Sequence, residues 1–167
     1  EESLGDGAQD IDLVMPYKDF LAGDRDSAGD MIGAISDMLD DSQLLKVILE
    51  TGAYPDTAHV LQASHLAIEN GADFIKTSTG KIAAVATPDA VRTMLTAIQS
   101  TGAPVGIKPS GGIRTLADAN VYLALADEIM GQVWATPQTF RFGASSLYDA
   151  LLAVLDDSAH SHTKSDY

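Results

Sequence analysis

A chain of 167 residues with ten Lys and Arg against 24 Asp and Glu carries a formal net charge of -14, on the length of one ordinary domain. Its 46% hydrophobic content suffices for a buried core and excludes a disordered chain, while the absence of cysteine excludes disulfides, thiolate nucleophiles and cysteine-based metal centres. The acidic balance argues against nucleic acid as a partner, and apolar runs such as Leu44 to Leu49, broken by Lys46, fall short of the roughly 20 residues that span a membrane.

The elements alternate from the start. Ile11-Asp12-Leu13-Val14-Met15-Pro16 reads as a strand, and Met31, Ile35, Met38 and Leu39 recur at helical spacing between Asp24 and Leu39. Leu44 to Leu49 is a second strand, with its helix between Pro55 and Asn70 and Gly71 as the stop. Phe74-Ile75-Lys76-Thr77 is a third strand; Thr87-Pro88-Asp89 opens the helix after it and Gly102 closes it. Val105-Gly106-Ile107-Lys108 precedes a helix from Thr115 to about Met130, and Phe140-Arg141-Phe142-Gly143 precedes a last helix from Ser145 to Leu155. Residues 1–155 form one domain, and 156–167 a polar tail. The Glu1-Glu2-Ser3 start has neither leader character nor an initiator Met, which fits a chain that begins inside a longer gene.

Strand and helix in alternation predict a parallel sheet with crossover helices, either doubly wound or a (β/α)8 barrel. The charges inside the strands favour the barrel. Asp12, Lys46, Lys76, Lys108 and Arg141 follow one another at intervals of 34, 30, 32 and 33 residues, one per strand. A charge in a parallel strand is costly unless it points into a shared polar site, and only in a barrel do inward residues at the C-terminal strand ends meet in one pocket.

Six of the ten basic residues, Lys46, Lys76, Lys81, Lys108, Arg114 and Arg141, lie in predicted strands or in the loops directly after them. A positive pocket within an acidic shell suits a small anion. The stretches Thr79-Gly80-Lys81, Ser110-Gly111-Gly112-Ile113-Arg114 and Gly143-Ala144-Ser145-Ser146 each follow a strand, where free backbone N–H groups and helix N-termini bind phosphate. Lys76 and Lys108 come from neighbouring units. An amine must be neutral to attack a carbonyl, and a second ammonium with partial burial lowers a lysine from about 10.4 toward roughly 7–8; Asp12 is suited to relay protons. The alternative is that both lysines bind phosphate.

Asp10 to Tyr17, Leu45-Lys46-Val47-Ile48-Leu49-Glu50-Thr51-Gly52, Gly71-Ala72-Asp73-Phe74-Ile75-Lys76-Thr77-Ser78-Thr79-Gly80, Gly106 to Arg114 and Arg141-Phe142-Gly143-Ala144-Ser145-Ser146 resemble the motifs of the deoxyribose-phosphate aldolase family over nearly the whole chain. The resemblance implies a cytoplasmic class I aldolase on a (β/α)8 barrel. Such an enzyme cleaves 2-deoxy-D-ribose 5-phosphate to glyceraldehyde 3-phosphate and acetaldehyde, with no cofactor and no metal. By position, Lys76 would form the Schiff base, Lys108 would depress its pKa, and Asp12 would act with water in proton transfer. Thr79, Gly80, Lys81, Gly111, Gly112, Arg114, Gly143, Ser145 and Ser146 would hold the phosphate. Lys46 would line the site beside Asp12 or the substrate hydroxyls, and the terminal Tyr167 would match the family's C-terminal tyrosine. His59, His65, His160 and His162 lack metal-ligand spacing and read as surface residues.

Such a barrel takes about 250 residues, and the family's first three βα units have no counterpart ahead of Glu1. Five units leave two unpaired strand edges, so the expected partner is a second copy or a chain carrying the missing units. Two other readings stand beside the aldolase: a non-catalytic phosphate-binding half barrel, and another phosphate-handling barrel enzyme such as an isomerase or a transaldolase-like lyase. The lysine pair favours Schiff-base chemistry over an isomerase with a carboxylate base.

Overall fold

The computed structural model describes residues 2–81 and 86–162, with side chains to residue 155. In chain order the elements are α1 (Glu2–Gly5), β1 (Asp10–Val14), α2 (Tyr17–Leu21), α3 (Arg25–Ser36), β2 (Leu44–Ile48), a 3-10 turn (Thr51–Ala53), α4 (Thr57–Glu69), β3 (Phe74–Lys76), α5 (Pro88–Thr101), β4 (Gly106–Lys108), α6 (Leu116–Met130) and α7 (Ser146–His162). The helices start where side chains can accept orphan backbone N–H groups. Asp24, Asp56, Thr87 and Thr115 each cap a following helix, and Thr115 forms a reciprocal box with Asp118.

All four strands are parallel and lie in the order β1-β2-β3-β4. Each helix from α3 to α6 packs on the next one in sequence, and α3, α4 and α5 also contact β2, β3 and β4. A doubly wound sheet would send helices to both faces; a single layer of sequential neighbours is the wall of a barrel, here four strands wide. Leu45, Val47, Ile75 and Ile107 are fully buried, as are Ala63, Val91, Leu95 and Ala126 on the helices. Each large aliphatic residue so buried contributes about 1.5–3 kcal/mol.

The register sets what faces inward, because residues opposite one another across a sheet share a face. Asp12 pairs with Lys46, Lys46 with Phe74, and Phe74 with Gly106; two residues along, Val14 pairs with Ile48, Ile48 with Lys76, and Lys76 with Lys108. These eight residues therefore share the face away from the buried helices. A Cβ on Gly106 would lie 2.3 Å from the Phe74 ring, so this layer closes only with glycine there.

Two elements differ from the sequence pattern. Phe140 to Gly143, read as a fifth strand, forms only isolated parallel bridges, Ile107 to Phe140 and Ser110 to Gly143. Pro109, which follows β4, has no N–H to give to the Arg141 carbonyl, so the ladder breaks between the two bridges. The last helix runs on past Leu155 to His162, since nothing from Asp156 to His162 is a glycine or proline that would stop it. The short helices α1 and α2, of four and five residues, are too brief to show a helical period in the sequence.

Candidate active site

Asp12, Lys46, Lys76 and Lys108 of the strands and Arg141 of the bridged segment come together at the inner face. Lys76 Nζ lies 2.6 Å from Asp12 Oδ2, and Lys46 Nζ lies 3.2 Å from Asp12 Oδ1. Lys46 also reaches Asp10 Oδ1 at 3.2 Å, and Arg141 Nη1 reaches Asp10 Oδ2 at 3.3 Å. The Arg141 guanidinium stacks on Phe74, 4.4 Å from the ring centroid, so an aromatic floor and a carboxylate hold it together. Lys46 is buried at 3% exposure, a burial that two carboxylates make tolerable.

Burial pulls the Asp12 carboxyl upward, but its hydrogen bonds to Lys76 and Lys46 and the charges of Lys76 and Lys108 outweigh that and hold it below the ordinary carboxylate value. Lys108 sits beside Lys76 in register. Burial lowers its pKa, and the cations of Lys76, Lys46 and Arg141 push the same way against the single opposing charge of Asp12. The cluster thus offers a carboxylate proton carrier in contact with one amine and a second amine whose protonation is disfavoured.

The glycine loops meet above this cluster. Thr77 Oγ1 donates to the Ser110 carbonyl and accepts from its N–H, both at 2.9 Å, and Ser110 Oγ donates to the Ser78 carbonyl. Gly143 donates its N–H to the Pro109 carbonyl at 2.8 Å, and Gly111 donates to Gly143 at 3.4 Å. Three strand-end loops are thereby joined, with Gly111 and Gly112 at φ +94° and +79°, a left-handed backbone that glycine adopts without strain. Of the predicted phosphate ligands, Gly111, Gly112 and Gly143 lie in these joined loops, and Ser145 and Ser146 at the start of α7. Lys81 and Arg114 are exposed; the Arg114 N–H is bonded to Asp118 Oδ2 at 3.0 Å. The Thr79 hydroxyl is turned to Glu50 Oε2 at 2.6 Å. Tyr167 lies outside the described residues.

Two charged residues at the site were not singled out from the sequence. Asp10 shares the inward face with Asp12 by the period of two, and Glu50 closes the same apolar run that holds Lys46. The pattern that marked Lys46 extends to both. Among the described residues, no group of three or more His, Asp or Glu is arranged to hold a metal ion, and no helix is long and apolar enough to cross a membrane. His59 Nδ1 is 2.7 Å from Asp56 Oδ1 at the start of α4, away from the cluster in sequence.

Residues 1–152 match the DeoC/LacD family aldolase. The chain is 50% identical to a deoxyribose-phosphate aldolase of Agrobacterium fabrum over 167 residues, which are all of this chain and 64% of that protein. A Toxoplasma gondii ME49 structure, described as that of a candidate deoxyribose-phosphate aldolase, superposes with a TM-score of 0.85 at 24% identity, over 93% of this chain and 62% of the other. The aldolase QR15 superposes with a TM-score of 0.72 at 28% identity, over 91% of this chain and 62% of the other. The chain therefore spans less than two thirds of the length of these relatives. The barrel architecture expected from the strand charges is the architecture of these solved aldolases, and with the match running over nearly all of its length, the chain belongs to the DeoC/LacD family of aldolases.

Proposed function

We propose that this chain carries the catalytic cluster of a Schiff-base aldolase that cleaves 2-deoxy-D-ribose 5-phosphate reversibly to D-glyceraldehyde 3-phosphate and acetaldehyde. The observation that carries the reading is the contact of Lys76 Nζ with Asp12 Oδ2 at 2.6 Å, with a second lysine next to Lys76 in register. Lys76 as the neutral amine attacks the aldehyde carbon of the open-chain sugar, and loss of water gives an iminium ion. A base takes the proton of the C3 hydroxyl, the C2–C3 bond breaks, and its electron pair enters the iminium to form an enamine while the phosphorylated aldehyde leaves. Protonation at C2 and hydrolysis then free acetaldehyde and the amine. Asp12, through a bound water, is the proton carrier for these steps, and Lys46 keeps it ionised and oriented. Lys108, next to Lys76 in register, is the second amine of the site and assists the Schiff-base step.

Thr79, Gly80, Lys81, Gly111, Gly112, Arg114, Gly143, Ser145 and Ser146 are proposed to surround the phosphate, and Tyr167 to assist proton exchange at the acetaldehyde carbon. A second copy of the chain, or a chain carrying the first three barrel units, is its partner, in a protein that works in the cytoplasm.

One observation favours the opposite division of labour between the lysines: burial lowers the pKa of Lys108, which suits a nucleophile. Borohydride reduction in the presence of acetaldehyde separates the two, followed by peptide mapping of the protein. Labelling at Lys76 is expected. With the complete barrel assembled, a label on Lys108 with Lys76 unmodified reverses the roles, and no covalent adduct on either lysine refutes the Schiff-base reading.

A further inference from the structure

Among the described residues, Glu50 is the one non-glycine residue with a positive φ, at φ 59° and ψ 53°. It is also 2% exposed. A left-handed, buried glutamate is doubly disfavoured, by its backbone and by its carboxyl group, and persists only where its surroundings over-determine it. What determines it here is one residue of another loop. The Thr79 N–H donates to Glu50 Oε1 at 3.2 Å and Oε2 at 3.4 Å, and Thr79 Oγ1 donates to Oε2 at 2.6 Å. That commits the only proton of the hydroxyl, so its lone pairs face outward, and one of them accepts the Lys81 N–H at 3.1 Å. From the same place, Thr51 N–H donates to the Thr77 carbonyl at 2.8 Å and Ala53 N–H to the Glu50 carbonyl at 2.9 Å. The end of β2 is thus tied to both ends of the 77–81 loop, which leads from Lys76 to Lys81.

We infer that Glu50 is a positioning residue, acting through Thr79 to hold the 77–81 loop at the distance from Lys76 that lets one sugar phosphate span amine and anion site together. The inference rests on the proposed aldolase reading. Its physical content is that the phosphate end serves catalysis by orienting the carbonyl end, where a displacement of about 1 Å can cost up to 100-fold. Glutamine at position 50 keeps the size but puts an NH2 group against two donors, and valine at position 79 removes the hydroxyl from the relay.

The test compares kcat/KM for 2-deoxyribose 5-phosphate with that for 2-deoxyribose in the full-length protein, for the wild type, Glu50→Gln, Thr79→Val and Thr79→Ser. Loss of one such hydrogen bond predicts that the preference for the phosphorylated sugar falls roughly tenfold in both Glu50→Gln and Thr79→Val, and that Thr79→Ser restores it. Amide exchange at Thr79 and Lys81 should quicken in the first two variants alone. Equal losses on the two sugars, or unchanged amide exchange, overturn the inference. If Glu50→Gln does not fold, Thr79→Val carries the same comparison. Borohydride trapping of acetaldehyde on the wild type keeps the two failures apart: a trapped wild type with unchanged preference in the variants sinks the role of Glu50 alone, and an untrapped wild type sinks the aldolase reading, while amide exchange still decides whether Glu50 holds the loop.

Discussion

Asp12 lies between two ammonium groups, 2.6 Å from Lys76 Nζ and 3.2 Å from Lys46 Nζ, so its titration belongs to the cluster rather than to one carboxyl. Its pKa is lowered in the folded state, so the unfolded chain binds its proton more readily. The stability it contributes is fully present above the unfolded value of about 3.9 and is lost as pH falls through the lower folded value. Asp12→Asn should therefore flatten the acid limb of the stability profile below about pH 4, measured by urea unfolding at a series of pH values, and should abolish retro-aldol turnover at neutral pH. An unchanged acid limb would mean that the cluster does not govern acid stability. The in-strand charges were legible because a charge amid Val, Ile and Leu asks for a polar partner. Asp10 and Glu50 were not, since each stands at a strand end, where charge ordinarily reads as solvated; only the inward turn of the open barrel wall and the backbone of Glu50 reveal their partners.

At the level of elements, α6 begins on a box that serves two ends. Asp118 Oδ2 accepts the N–H of Thr115 at 2.9 Å and of Arg114 at 3.0 Å, while Thr115 Oγ1 accepts the Asp118 N–H. The cap that starts the helix thereby fixes the backbone of a proposed phosphate ligand. Thr115→Ala should cost about 1 kcal/mol of stability and also raise KM for the phosphorylated sugar, read by thermal unfolding beside steady-state kinetics; loss of stability with KM unmoved would separate the cap from the site. Caps, stop glycines and strand runs were readable because each is a local device of three or four residues. The segment from Phe140 to Gly143 has the composition of a strand, yet strand character is a property of pairs, and Pro109 on the facing chain has no N–H to continue the ladder. α2 escaped because five residues are too few to display a helical period.

The molecule as a whole is a curved wall with helices outside and charges inside. Among the described residues, β1 and the Phe140 to Gly143 segment each lack a neighbour on one side, Val14 of β1 is 41% exposed, and Tyr148 and Leu155 of α7 are 63% and 64% exposed. Unpaired edges beside apolar side chains associate. The chain by itself should scatter light as a self-associated species and show little aldolase turnover, and a polypeptide carrying the first three βα units should convert it to a compact, active form. A monodisperse, fully active monomer would refute this. The strand order β1-β2-β3-β4 has a further consequence, for the order of assembly. Every strand pairs with the one made about 30 residues before it, so no strand waits for a distant part of the chain. During synthesis each new βα unit emerges to find its docking edge already built, and the wall can grow from its N-terminal side as the ribosome advances, with the ring closing only when its first and last strands are both present.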